Sequence, residues 1–157
     1  GNHGGGDIWV IKLDSNGVKQ WAHCYGGAED EFAYSIKQVS DGGYIVAGGT
    51  MSNDGDVTDN HGSVDCWIIK LESEGNLQWQ KCYGGSDEDL AYSVETTTDG
   101  GYIFSGYTES DDGDVNGNHG SRDGWIVKID GSGVLLWQRC IGGSADDETA
   151  CVQKTFD

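Results

Sequence analysis

The chain repeats itself every 58 residues, and this internal periodicity constrains its fold more than any other feature. Tryptophans recur at that step in two registers, and cysteines, Asn-His-Gly turns and Gly-Gly pairs recur with them. A residue needed once for chemistry has no reason to return in every copy, whereas a residue that packs, turns or binds locally does. The repeated tryptophans are therefore predicted to be structural: Trp9, Trp21, Trp67, Trp79, Trp125 and Trp137.

Divided at its Asp-Gly-Gly turns, the chain contains a partial repeat at 1–41, a complete period at 42–99 and a second complete period at 100–157 with an atypical end. Together these form one repeat array in which each unit buries its faces against its neighbours. Since 157 residues fall short of three periods, we expect an excerpt of a longer array, or a subunit completed by another copy.

Each unit has the pattern of four short antiparallel strands. In the second unit, residues 66–71 and 76–82 alternate around a Glu-Ser-Glu-Gly turn, which predicts a hairpin with Gly75 in the left-handed conformation. Residues 90–94 and 102–106 predict two further strands. Pairing Glu72 with Asn76 divides the hairpin side chains between two faces. One face is apolar and contains Trp67, Ile69, Leu71, Leu77 and Trp79. The other face contains Ile68, Lys70, Gln78 and Gln80.

The fold class predicted from this pattern is all-β, built from repeated four-stranded antiparallel sheets. Units of about 40–50 residues with aromatic signatures are typical of β-propeller blades, and a long loop accounts for the larger period. The alternative architecture is an open stack of β-sheet repeats in a filament.

Four strings resemble the β-propeller-type repeats of large secreted Bacteroidetes proteins: residues 42–48 (GGYIVAG), 53–57 (NDGDV), 60–62 (NHG) and 67–72 (WIIKLE). The resemblance covers the whole chain. It implies export, surface attachment and, in the parent proteins, a type IX secretion sorting domain. The step from Asp14 to Trp21 is also similar to the tryptophan-docking turn of quinoprotein dehydrogenase propellers.

Twenty-seven acidic and nine basic residues give a formal net charge of −18. That charge argues against nucleic acid and anionic membrane surfaces as partners and favours cations. No apolar run of about 18 residues is present, so membrane insertion is not expected.

Two acidic loops suggest calcium. The loop from Asp112 to Asn118 alternates oxygen side chains and has glycine at its sixth position, as calcium loops do. Its predicted ligands are Asp112, Asp114, Asn116, Asn118 and Asp123. The earlier loop is a poorer match because Asp59 replaces that glycine; its candidates are Asp54, Asp56, Thr58 and Asp65.

No catalytic motif is present, and we do not expect an enzyme. The Asn-His-Gly histidines have no zinc-type spacing and are predicted to be hydrogen-bonded turn residues. Acidic clusters at 29–31, 87–89 and 146–148 follow each Gly-Gly pair, which favours exposed loops over paired catalytic acids. Cysteines at matching repeat positions lie too far apart to bond, but the predicted register sets Cys66 opposite Cys82 as a possible disulfide.

These features predict a secreted, extracellular or cell-surface structural and adhesive module that is stabilised by calcium and associates with other copies or neighbouring repeats. A lectin-like module that binds surface glycans is the alternative. A quinoprotein-like enzyme fragment is the third interpretation.

Overall fold

The computed structural model describes residues 1–155, which form strands, turns and loops without a helix. This confirms the predicted all-β class of repeated antiparallel sheets. No helix in residues 1–155 is long and apolar enough to cross a membrane.

Sheet I contains β1 (Ile8–Leu13) and β2 (Lys19–Tyr25). Sheet II contains β3 (Glu31–Gln38), β4 (Tyr44–Thr50), β5 (Asp65–Leu71) and β6 (Leu77–Tyr83). Sheet III contains β7 (Asp89–Thr96), β8 (Tyr102–Thr108), β9 (Asp123–Ile129) and β10 (Leu135–Ile141).

Sheets II and III are meanders in which strands adjacent in sequence are adjacent in space. Sheet II spans residues 31–83 and sheet III spans residues 89–141, and each sheet begins just after an acidic turn. Gly48 in β4 and Gly106 in β8 permit close strand approach, because a Cβ at either position would lie within 2 Å of a carbonyl oxygen on the preceding strand. Tyr34 and Tyr92 are extra residues at equivalent β-bulges beside these glycines.

The three sheets pack face to face, with β7 lying against β3, β4 and β5. All seven residues of β5 are buried, because sheet I covers one of its faces and sheet III covers the other. Trp67, Ile69 and Leu71 pack toward sheet I, whereas Cys66 and Ile68 pack toward sheet III. Within residues 1–155, a large core therefore fills each gap between sheets, and a small third cluster contains Val64, Leu90 and Tyr107.

The β5–β6 hairpin corrects the predicted register. Near the turn, Glu72 and Asn76 are hydrogen-bonded and Gly75 has φ 82°, as expected. A bulge between Lys70 and Leu71 then shifts the pairing by one residue. Trp79 consequently packs on the sheet III side, and the prediction that it shares a face with Trp67 is wrong. Ile68 lies opposite Trp67 as predicted, but Gln80 moves to the face of Trp67, whose Nε1 donates to its Oε1 at 2.7 Å.

The segment after β10 continues the repeat without forming a regular strand among the described residues. Val152 N donates to Ser93 Oγ at 3.2 Å, as Val94 N in β7 donates to Ser35 Oγ at 3.3 Å. Thr149 N donates to the Gly106 carbonyl at 3.0 Å. This segment therefore lies on sheet III along the path that β7 follows on sheet II.

Candidate functional site: end faces and buried acidic turns

The structure separates the predicted structural tryptophans by their place in the stack. Trp67 and Trp125 are 0% and 1% exposed, whereas Trp9, at the same repeat position, is 65% exposed. Trp21 and Trp79 are partly buried, whereas their equivalent Trp137 is 41% exposed. Equivalent residues thus lie inside the stack in some copies and on its two outer faces in others.

Each gap between sheets is also closed by polar contacts from one sheet to the next. Tyr25 donates its hydroxyl hydrogen to the carbonyl of Gly75 in the sheet II hairpin. Tyr83 makes the same bond to Gly133 in sheet III, at 2.6 Å. Ile141 occupies this position on the outer face of sheet III and is exposed. The outer face of sheet III therefore keeps an apolar side chain but lacks the hydroxyl.

The Asn-His-Gly turns place each histidine against an aspartate four residues later. His61 Nδ1 lies 2.6 Å from Asp65 Oδ2, and His119 Nδ1 lies 2.6 Å from Asp123 Oδ2. The backbone N–H of each histidine donates to the same oxygen, at 2.9 and 3.1 Å. These histidines therefore hold a buried carboxylate at the start of a strand.

Two of the three acidic clusters contain a buried carboxylate, which corrects the expectation of exposed loops there, whereas the acids at 146–148 are exposed as expected. Glu31 and Asp89, equivalent positions at the starts of β3 and β7, are both buried. Asp89 Oδ2 accepts from Gly85 N and from Ser110 Oγ, each at 2.8 Å. Burial nevertheless raises the pKa of Asp89 to about 6. The recurring acid 58 residues after Glu31 was the sequence signal that could have revealed this site.

In the later predicted calcium loop, side chains bind the protein's own backbone. Asp112 Oδ1 accepts from Ser86 N at 2.8 Å, and Asp114 N donates to the Gly84 carbonyl at 2.9 Å. Asn118 Nδ2 donates to the Ser110 carbonyl at 3.1 Å, and the Asn116 carbonyl accepts from a glutamine side chain at 2.9 Å.

The earlier loop is held in the same way. Asp54 Oδ1 accepts from Ala28 N at 2.8 Å, Asp56 N donates to the Gly26 carbonyl at 3.0 Å, and Thr58 Oγ1 accepts from Gln80 at 2.7 Å. Within residues 1–155, no three or more His, Cys, Asp or Glu side chains are grouped as metal ligands. Calcium binding by these loops stays a prediction.

A cavity of about 400 Å³ opens between sheets II and III. Asp59, His61 and Asp114 line its polar side, and Tyr83 and Leu135 contribute apolar surface. Burial raises the pKa of the Asp114 carboxyl. The most exposed tryptophan, Trp9, lies instead on the outer face of sheet I.

All five cysteines are free thiols in the described part of the chain. Because of the bulge, Cys66 pairs with Tyr83, and Cys82 pairs with Trp67. The register that suggested a Cys66–Cys82 disulfide is therefore wrong. Burial raises the pKa of the Cys66 and Cys82 thiols well above its ordinary value, which makes both poor nucleophiles.

No protein-family model matches the chain. Over 115 residues it is 26% identical to "Regulatory protein FlaEY" of Caulobacter vibrioides (strain ATCC 19089 / CIP 103742 / CB 15). The match covers 69% of this chain and 12% of that protein. The similarity therefore concerns a small part of the relative.

Proposed function

We propose that this chain is a non-catalytic structural and adhesive module of the extracellular, cell-surface type, which acts by stacking its sheets against further copies of the same repeat. The proposed contact is head to tail. The outer face of sheet I, formed by Trp9, Ile11 and Leu13, meets the outer face of sheet III, which carries Trp137 and Ile141, in the next copy.

The observation that supports this proposal is the contrast between equivalent residues. Ile69 and Leu71 are fully buried beneath sheet I, whereas their equivalents Ile11 and Leu13 are 41% and 54% exposed. The chain itself therefore shows what covers this kind of face: the outward face of another sheet of the same repeat. Large exposed apolar surfaces on soluble proteins mark such interaction sites.

An apolar groove beside the outer face of sheet I strengthens the argument. It has a volume of about 310 Å³ and lies between β1 and β3, where Trp9, Ile11, Tyr34 and Ile36 line it. In sheet II, β4 hydrogen-bonds to the edge of β5, but the corresponding edge of β1 has no partner strand among residues 1–155. Unpaired strand edges bind added strands.

A head-to-tail contact joins two different surfaces, so it closes into a ring or continues as a filament. We propose that the sheets are β-propeller blades, because sequential four-stranded meanders packed face to face are the units of that architecture. An open filament is the alternative. Electron microscopy of assembled material distinguishes the two, since rings have a fixed diameter and filaments grow in length.

The experiment that tests self-association is multi-angle light scattering across a range of concentrations. We expect the wild-type mass to rise with concentration. Trp9→Ser should lower the associated fraction about tenfold or more, because it removes the largest side chain of the contact. Val18→Ser is the matched control, since Val18 is equally exposed but lies outside the strands.

Two outcomes would overturn the proposal. A wild-type chain that remains monomeric at every concentration does not self-associate. Equal loss of association in the Trp9 and Val18 variants would show that nonspecific apolar aggregation, rather than the sheet I face, holds the copies together.

A further inference from the structure

Two buried carboxylates from consecutive sheets face one another across Gly84. Asp65 begins β5 in sheet II, Asp89 begins β7 in sheet III, and both are 0% exposed. A Cβ built on Gly84 would lie 2.8 Å from Asp65 Oδ1 and 2.5 Å from Asp89 Oδ2. A side chain at position 84 would force the carboxylates to move, so glycine permits their close approach.

Each carboxylate has one oxygen held by the protein and one without a partner. Asp65 Oδ2 accepts from the backbone and ring nitrogens of His61, and Asp89 Oδ2 accepts from Gly85 N and Ser110 Oγ. Neither Asp65 Oδ1 nor Asp89 Oδ1 has a hydrogen-bond partner within residues 1–155. Buried carboxylate oxygens left unpaired are costly, so such groups take up a proton or a cation.

Two acids also flank the equivalent glycine in the other copies, but both oxygens of Glu31 are hydrogen-bonded in the first copy and Asp147 is exposed in the third. Asp7 Oδ1 and Glu31 Oε2 lie 2.9 and 2.2 Å from the Cβ position of Gly26. Asp123 Oδ1 and Asp147 Oδ2 lie 2.5 and 2.8 Å from that of Gly142. Asp7 Oδ1 and Asp123 Oδ1 are also buried and unpartnered among the described residues. The unpartnered oxygen of the first aspartate is therefore common to all three copies, which indicates a local role, whereas two buried acids with an unpartnered oxygen each occur together at Asp65 and Asp89.

We propose that Asp65 and Asp89 bind a calcium ion between consecutive sheets. This site shares Asp65 with the earlier predicted loop, but its second carboxylate, Asp89, belongs to the following sheet and replaces the loop residues Asp54, Asp56 and Thr58. The inference does not depend on association between copies. It predicts a cation that joins sheet II to sheet III within one chain.

Calcium is the cation that the chemistry favours. Each carboxylate offers one oxygen without a hydrogen-bond partner, and the hydroxyls of Thr108 and Ser110, both fully buried, lie next to Asp89. Calcium accepts six to eight oxygens in irregular geometry, whereas magnesium requires near-ideal octahedral geometry and retains its waters. Softer metals prefer nitrogen and sulfur, and the buried Cys66 thiol is strongly disfavoured from ionising.

The test compares melting curves of the chain after chelator treatment and after addition of calcium. We expect calcium at a hundredfold excess over its dissociation constant to raise Tm by roughly 5–10 °C. Asp65→Asn and Asp89→Asn should abolish that rise. Asp112→Asn, which alters the predicted loop, and Asp87→Asn, which alters an exposed neighbour, are the matched controls and should retain it.

A folding control is included because a variant that fails to fold would also show no calcium response. In the absence of calcium, Asp89→Asn removes one of two facing charges, so its Tm should equal or exceed that of calcium-free wild type. Isothermal titration calorimetry then measures calcium binding directly in the folded variants, and Asp89→Asn should release less calcium-binding heat than wild type.

Two results would refute the inference. If the calcium-dependent rise survives in Asp65→Asn and Asp89→Asn but disappears in Asp112→Asn, the loop is the calcium site. If calcium and chelator leave the wild-type melting curve unchanged, the two aspartates bind no calcium. A wild-type Tm that then rises on acidification from pH 8 to pH 5, with no rise in Asp89→Asn, would show that the two aspartates share a proton instead.

Discussion

The strongest quantitative test uses two tryptophans that occupy the same repeat position. Trp67 is fully buried and donates from Nε1 to Gln80 Oε1 at 2.7 Å, whereas Trp9 is 65% exposed. An aromatic side chain buries roughly 150–250 Å². At about 25 cal/mol per Å², Trp67→Ala should cost about 4–6 kcal/mol, and Trp9→Ala only about 1–2 kcal/mol.

Urea unfolding, followed by tryptophan fluorescence and circular dichroism, measures both losses. The protein concentration is kept where light scattering reports a single chain, so that association does not contribute. Because a loss of about 5 kcal/mol approaches the whole stability of many domains, Trp67→Phe provides a milder second variant. It should lose part of the buried area and the bond to Gln80, and it should fall between wild type and Trp67→Ala.

The reasoning would be refuted if the two alanine variants lost equal stability in the single-chain state. That result would mean that Trp9 is covered in the free chain, which contradicts the solvent-exposed outer face of sheet I. A small loss for Trp67→Ala would likewise contradict the burial of β5 on both faces.

Three further predictions concern packing, charge and thiol chemistry. Gly106→Ala should cost about 1–3 kcal/mol or more in urea unfolding, because its Cβ would lie 1.8 Å from a carbonyl oxygen of β7, whereas Gly143→Ala should be nearly neutral. Hydrogen bonds from Thr97 and Lys128 lower the pKa of Asp99. The ionised Asp99 carboxylate therefore stabilises the fold above about pH 4, and this stabilisation is lost on acidification. Lys128→Met should show a shallower loss of stability than wild type in an acid titration. Ellman's reagent should modify the exposed Cys151 first in the native protein. After unfolding without reductant, it should modify all five thiols. A total below five would contradict the prediction that every cysteine is a free thiol.

Much of the local structure follows from nearest neighbours in the sequence. The alternation around residues 72–76 predicts the hairpin, and Gly75 adopts the positive φ that such a turn requires. The strands predicted at 90–94 and 102–106 occur as β7 and β8, slightly longer at their ends. These features need only the two-residue period of a strand and the conformational freedom of glycine.

The candidate site was much less predictable. Alternation correctly placed Ile68 on the face opposite Trp67, but it does not say that a sheet covers each of these two faces. The bulge at Lys70 and Leu71 leaves no clear sequence signal, and it separates Trp79 from Trp67. The acid at position 89 resembles its exposed neighbours in sequence, and only the packing of β7 on sheet II buries it.

The sequence by itself determined the all-β class, the repeating unit and the turns, because these depend on residue type and local spacing. Tertiary structure alone decided which copy of a repeated residue is buried: Trp9 and Trp67 share a residue type and repeat position, but only Trp67 has sheets on both sides. The pairing of Asp65 with Asp89 was decided in the same way, since it exists only where two sheets meet. Burial is a property of the neighbours that a residue acquires on folding, and equivalent repeats acquire different neighbours at the ends of a stack.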